Sequence, residues 1–323
     1  MRASREAAFP DDAELLRRLG RGLSTSLRDG GDLQLISRAL VAHPGRGYSA
    51  ELLEVSGATG GAALFAKHGA DVTSADPFRG GHVGGLAYEF RAQSRAYAVA
   101  RRGVATPLGQ ACGSDGGMSI FATQIQGVSL ADAKARDRLV VAARWLGDFH
   151  RRWEIVADSS AGLNCLDAPF LAQWLESAVV TIDSHSPEVD VRAAIGGCYQ
   201  EDIEVLLTAP RILLHGDCYP TNALVDHSGV WLIDWELAVL GAGEVDVATL
   251  TLGWPDASVA ACISAYTEAR WPSGCPPETG RRFLAARRYV LLRILSIPPR
   301  ANRLERYLRR LNMLLTLPPG ACR

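Results

Sequence analysis

Two apolar runs, each interrupted by oxygen-bearing side chains at fixed intervals, constrain this chain more than any other feature. LLHGDCYPTNALV covers residues 213–225 and VWLIDWELAVLG covers 230–241. Each reads as a buried strand, a short polar break and more strand, so polar side chains are delivered to neighbouring strand ends. The side chains are Asp217, Asn222 and, twelve residues beyond Asn222, Asp234. One carboxylate to accept the proton of an attacking hydroxyl, with two oxygen ligands for Mg2+, is the inventory that phosphoryl transfer needs. Taken singly, Asp217 would pass for a turn residue capping backbone amides and Asn222 for an ordinary loop residue. Their spacing, repeated against Asp234, favours the joint role. Asp234 ends the run VWLI, where a solitary carboxylate needs compensation that a cation would provide. Trp235 falls on the opposite face by strand alternation and belongs to the core. His215 is placed to hold the loop by hydrogen bonding, since Asp217 already fills the role of base.

Composition narrows the setting. The chain has 323 residues, a net charge of −1 and an apolar content near one half, a globular profile that argues against a general nucleic-acid binder. No apolar run reaches spanning length, and the first twenty residues are charged throughout, unlike a secretory signal. Seven cysteines are scattered singly without a C-x2-C pair, which suits reduced thiols in a cytoplasmic setting rather than a disulfide scaffold or a zinc site. Of 34 basic residues only Lys67 and Lys134 are lysine. Where arginine has taken nearly every basic position, a lysine inside the apolar run AALFAKH asks for a specific reason. Lys134, in ADAKARDR, reads as a solvated residue at a helix start.

Along the chain, residues 1–34 form a polar leader with one short helix over 11–23. Three apolar runs between turn-forming clusters then predict an antiparallel meander over 35–68. The Gly-rich stretch 69–85 reads as a mobile loop, followed by a helix over 86–101 and a strand pair reaching GGMSIFATQIQG. From residue 128 helices dominate. Ser129 can cap a long helix whose residues 139, 142, 146, 149 and 153 share one apolar face. EVDVATLT starts another helix with Asp246 as its N-cap. Two amphipathic helices close the chain over 278–296 and 301–315, separated by Pro298 and Pro299.

At HGDCYPTN and IDWE the chain resembles the aminoglycoside phosphotransferase and choline kinase-like family, and the resemblance extends from about residue 35 onward. It implies a bilobal α+β protein-kinase-like fold. A small antiparallel β-rich N-terminal lobe, with the nucleotide-binding sheet and hinge, would cover 35–127. A larger, mainly helical C-terminal lobe with the catalytic and metal-binding loops would cover 128–323. It further implies ATP and Mg2+ as cofactors, with GTP left open as the nucleotide. Asp217 is then the base and Asn222 and Asp234 are the metal ligands. Lys67 neutralises the α- and β-phosphates and Glu89 orients it. Gly45 and Gly47, in PGRGYSA, belong to a phosphate-covering loop, although the pattern lacks a full GxGxxG. Thr123 and Ile125 lie in the hinge that meets adenine, with Thr123 standing where the family often has Glu. Glu236 either assists the metal through water or is a surface or helix-pairing residue, and both readings stay open.

The partner implied is a small-molecule hydroxyl acceptor such as an aminoglycoside or other antibiotic, a sugar or an amino alcohol. Residues 281–323 hold eleven arginines and one acid, Glu305. A solvated helix face accounts for such a run. Were it to line the acceptor site, it would repel a cationic antibiotic. Acids in 148–204 keep a cationic substrate open. Two other classes were weighed against this reading. A nucleotide-binding pseudokinase with a scaffolding role would bind ATP without turnover, yet every core residue is present. A binuclear metallophosphatase would need further D-x-H and N-H-D clusters, which the sequence lacks.

Overall fold

The apolar runs of the predicted meander become three strands joined in sequence: β1 (Gln34–Val41), β2 (Ser49–Gly57) and β3 (Gly60–Ala70). With β4 (Pro107–Cys112) and β5 (Gly117–Thr123) they form an antiparallel sheet in the order β1-β2-β3-β5-β4. The computed structural model describes residues 9–23, 33–41, 48–57, 60–70, 85–133, 136–155, 162–184, 191–296 and 301–317. These pack as two units, one built from the described residues up to Gly127 together with Trp231–Leu237, the other from Val128–Val230 and from Ala238 onward. The segment Trp231–Leu237, which carries Asp234, thus belongs to the first unit although it lies late in the chain.

Both faces of the sheet are covered. Helix α1 (Asp12–Gly22) starts at Asp11, whose carboxylate accepts from the Glu14 N–H at 2.7 Å. It buries Leu15 and Leu19 completely against Leu53, Val55, Leu64, Ala66 and Phe121, each leucine contributing roughly 1.5–3 kcal/mol. Its last turn meets β4 so closely that a Cβ on Gly109 would lie 1.7 Å from the Gly22 carbonyl oxygen, a clash with backbone that cannot yield. On the other face lies α2 (Leu86–Val99), where Leu86 packs with Met118 and Ile120. The stretch expected to be a mobile loop lies almost wholly outside the described residues, as do the glycines 45 and 47, Lys134 and the Pro298–Pro299 break.

In the second unit β6 (Val128–Ser129) pairs with β8 (Ala223–Val225), and β7 (Ile212–Leu214) pairs with β10 (Val239–Gly241), all antiparallel. Between β8 and β10 comes the three-residue β9 (Val230–Leu232). The helix predicted from Ser129 is described as α3 (Leu130–Ala133) and α4 (Arg136–Ile155), and Leu139, Ala142, Leu146, Phe149 and Trp153 of α4 are all buried as their spacing required. After α5 (Ala168–Asp183), α6 (Val191–Leu207) and α7 (Glu244–Leu250), α4 finds its main partner in α8 (Asp256–Arg270). Finally α9 (Thr279–Leu295) runs through the middle, contacted by α5, α6, α7 and α10 (Ala301–Leu315).

Helix α9 corrects the expectation of a solvated arginine face. Arg288 is buried, bonding Asp202 of α6 at 3.1 Å and the Leu314 carbonyl of α10 at 2.9 Å. Arg293 is equally engaged, as described below, whereas Arg281 and Arg309 do face solvent. An arginine on a buried helix face is retained only where partners meet it.

Candidate functional site

The first unit assembles a buried charge cluster from β3, α2 and the segment that follows β9. On β3, Lys67 points to the α2 face, and its ammonium donates to Glu89 Oε2 at 2.8 Å and Asp234 Oδ1 at 2.9 Å. Glu236 Oε2 stands 3.5 Å away, and the Tyr48 ring lies 5.2 Å from the ammonium. Lys67 is 4 % exposed, Glu89 3 % and Glu236 2 %. The surface reading of Glu236 is therefore overturned: the side chain turns inward because the lysine draws it. Trp235 is buried as expected, though it lies beyond the end of β9 rather than in a strand, and its indole N–H donates to the Leu232 carbonyl at 3.3 Å. Asp234 has a φ of 67°, the one positive φ among described non-glycine residues. Left-handed backbone of this kind is uncommon outside glycine, though aspartate tolerates it, and it clusters at sites held by their surroundings.

Charge accounting defines what this cluster can do. Burial alone would lower the Lys67 pKa, but Glu89, Asp234 and Glu236 outweigh it and hold the ammonium firmly charged. Burial raises the Glu89 carboxyl, Lys67 opposes that, and Asp234 and Glu236 reinforce it. With all three carboxylates ionised, one ammonium facing them would leave a formal charge of −2 in a buried site. The carboxylate oxygens lie within 4.8 Å of one another. An all-oxygen, doubly negative donor set fits a hard divalent cation such as Mg2+.

The second unit builds a separate loop from HGDCYPTN. After the fully buried β7, Gly216 takes a φ of 75°, a turn that glycine makes without strain. Asp246 holds the turn, its carboxylate accepting from the His215 N–H at 2.7 Å and the Gly216 N–H at 3.1 Å. The expectation that Asp246 caps its own helix is thus wrong: α7 begins at Glu244 with Gly243 as cap, and Asp246 faces the loop across the core. An aspartate in an otherwise apolar helix, EVDVATL, was the signal, since such a group is buried only when it has partners. His150 stands 3.5 Å from Asp246, and burial lowers its pKa to about 4 against the pull of that carboxylate. His215 supports the loop, accepting from the Asp217 N–H at 3.3 Å.

Around Asp217 the loop then closes on itself. Asn222 donates its amide to Asp217 Oδ2 at 2.9 Å and to the Asp217 carbonyl at 2.8 Å. With the amide nitrogen so committed, the side-chain oxygen is what Asn222 has to offer a cation. Arg293 reaches in from α9, donating to the Gly216 carbonyl at 2.6 Å and approaching Asp217 Oδ1 at 3.3 Å. Ser129 joins the arrangement by donating to the Pro220 carbonyl at 3.2 Å while accepting from the Ala131 N–H. Sequence reasoning missed Arg293, because nothing local distinguishes it from its arginine-rich neighbours.

In the expected hinge, the Thr123 hydroxyl accepts from the Thr106 N–H at 2.9 Å and its own N–H donates to the Thr106 carbonyl at 3.0 Å. Gln124 bonds back to Ala63, and Ile125 follows, half-buried, beyond the strand. No described helix is long and apolar enough to cross a membrane.

The model of the phosphotransferase enzyme family matches residues 86–286. Comparison with curated protein sequences finds no match. Among solved structures, aminoglycoside 2'-phosphotransferase-IIIa in its GDP complex is similar with a TM-score of 0.58 at 14 % identity, over 95 % of this chain and 99 % of that one. A thermostable mutant of aminoglycoside phosphotransferase APH(4)-Ia, bound to AMP-PNP and hygromycin B, gives 0.57 at 18 % identity, over 87 % and 94 %. A choline/ethanolamine kinase family protein from Mesorhizobium loti gives 0.57 at 14 % identity, over 88 % and 90 %. At such identities the likeness speaks for the fold, a kinase-like one with an antiparallel N-terminal sheet and a helical C-terminal part.

Proposed function

The chain belongs to the phosphotransferase enzyme family, and from that premise we propose that it moves the γ-phosphoryl group of ATP to a hydroxyl of a small molecule. The observation that carries the reading is the Lys67 ammonium, bonded to Glu89 at 2.8 Å and Asp234 at 2.9 Å inside a cluster of three carboxylates. Lys67 is the residue for the α- and β-phosphates and Glu89 orients it. Asn222 and Asp234 are the ligands for Mg2+, which when bound would offset negative charge on the phosphates. Thr123 and Ile125 are the hinge residues offered to adenine, with the Thr123 N–H already engaged by the Thr106 carbonyl. The proposal also places the protein in the cytoplasm.

Asp217 accepts the proton of the acceptor's hydroxyl and so aims a lone pair of that hydroxyl oxygen at the γ-phosphorus. Its two oxygens are held from different sides, Oδ2 by Asn222 and Oδ1 by Arg293, so the carboxylate cannot swing away. Orientation of this kind is where most of the protein's contribution to phosphoryl transfer lies. Substitution Asp217→Asn is expected to leave nucleotide affinity unchanged while turnover falls by roughly 10²–10⁴-fold. Near wild-type ATP-dependent phosphorylation by that variant would remove Asp217 from the role of base.

A further inference from the structure

The loop that carries Asp217 also forms part of a pocket, and its lining differs from what a polyamine needs. The pocket lies wholly in the second unit, encloses about 410 Å3 and is lined in the main by Tyr219, Pro220, Leu252, Trp254, Ile294 and Tyr307. That volume falls in the range of small-molecule sites, which are apolar with a few placed polar groups. Two stretches of its wall adjoin the proposed base. Tyr219 and Pro220 lie between Asp217 and Asn222, and Ile294 follows Arg293, whose guanidinium holds the Asp217 carboxylate.

None of the lining side chains is charged, and guanidinium groups stand at its border. Arg306 donates to the Tyr307 hydroxyl at 3.3 Å and stacks over that ring at 5.1 Å. Arg310 donates to the Trp254 carbonyl at 3.2 Å. Asp256 is the nearby acid, and Arg310 at 2.8 Å and Arg287 at 3.6 Å both engage it. An amino sugar with several ammonium groups would lose hydration there, meet no carboxylate in the lining and face guanidinium groups of its own sign. Tyr219 and Trp254 rings would attract a lone quaternary ammonium, but only by about 0.5–2 kcal/mol and against the same arginines.

We infer that the acceptor is an uncharged, largely apolar alcohol, its apolar surface against Trp254 and Tyr307 and its hydroxyl toward Asp217. This rests on the phosphotransferase reading of the same site and narrows it away from polycationic sugars and choline-like alcohols.

The test is direct binding to the full chain without nucleotide, by isothermal calorimetry, for two amine-free alcohols (chloramphenicol and a macrolactone aglycone), kanamycin and choline. At least one amine-free alcohol is expected to bind roughly tenfold tighter than kanamycin and choline. Trp254→Ala should weaken that binding by roughly tenfold or more while ATP affinity is unchanged. Tyr307→Leu serves the same purpose should the tryptophan variant fail to fold. Tighter binding of kanamycin or choline, binding of none of the four, or binding indifferent to both substitutions would overturn the inference. Because no phosphoryl transfer is read, the outcome is separable from that of Asp217→Asn. Alcohol binding lost with Trp254, beside an active Asp217→Asn enzyme, would sink the base and leave the acceptor class standing.

Discussion

Adjacent residues of β3, Lys67 and His68, are both buried, face opposite sides of one sheet and enter two polar networks of unlike charge. On the α1 side, His68 bridges Ser119 Oγ at 2.7 Å and Glu51 Oε1 at 2.8 Å. Arg18 meets Ser119, Glu14 and Asp115, while Arg38 meets Glu51 and Asp12. With Arg17 and Arg21 also on Glu14, four arginines face four carboxylates, so this network is balanced within itself. The Lys67 side has three carboxylates to one cation. A balanced network needs nothing further and serves to dock α1 on the sheet. An unbalanced one is costly until something from outside completes it, which is how a ligand site differs from a structural one. Ser119, His68 and Glu51 even reproduce the order of a hydrolytic triad. Yet Ser119 and Glu51 are fully buried, His68 is 1 % exposed and the serine oxygen accepts from Arg18, so the resemblance carries no chemistry.

The largest test of that contrast is Lys67→Ala. Phosphotransfer kcat/KM should fall by roughly 10²–10³-fold, and the variant's melting temperature should climb when Mg2+ is added, because three carboxylates have lost their counter-charge. Next is Glu51→Ala, which breaks the balanced side at a fully buried carboxylate. It should lower stability by on the order of 3 kcal/mol in urea unfolding and leave kcat/KM of the folded fraction alone. An equal fall in kcat/KM would erase the distinction between the faces. The same residue predicts a pH dependence. Burial works against the charged form of Glu51, but the His68 and Arg38 hydrogen bonds win and hold its pKa below the ordinary 4.5. A depressed carboxylate stabilises the fold above its unfolded pKa, and that contribution disappears as the pH falls through the folded value. The stability gap between wild type and Glu51→Gln should therefore be full at neutral pH and shrink in acid. Smallest is Ser119→Ala, about 1 kcal/mol with no kinetic effect, and a kinetic defect there would argue that the balanced face communicates with turnover.

Much of this was readable in the chain. Periodicity located α1, the meander, α4, α9 and α10, because their apolar spacing matches faces that really are buried. Lys67 stood out through its rarity among 34 basic residues, and Glu89 as the sole acid of its helix. What stayed hidden is long-range. Asp246 bonds a loop some thirty residues away, Arg293 reaches the same loop from more than seventy away, and Arg18 of α1 reaches Ser119 a hundred residues on. Spacing within a segment reports which side of an element is covered, never which distant group covers it. The arginines of α9 misled for the same reason: charge in a helix signals solvent unless a partner from elsewhere arrives, and here partners did arrive.

The left-handed backbone at Asp234 bears on how this protein is able to change over time. Glycine and asparagine would adopt that conformation at little cost, whereas a β-branched replacement would be strained there whatever its chemistry. Drift at this position is therefore steered by the backbone, toward residues that accept a positive φ and away from valine, isoleucine and threonine.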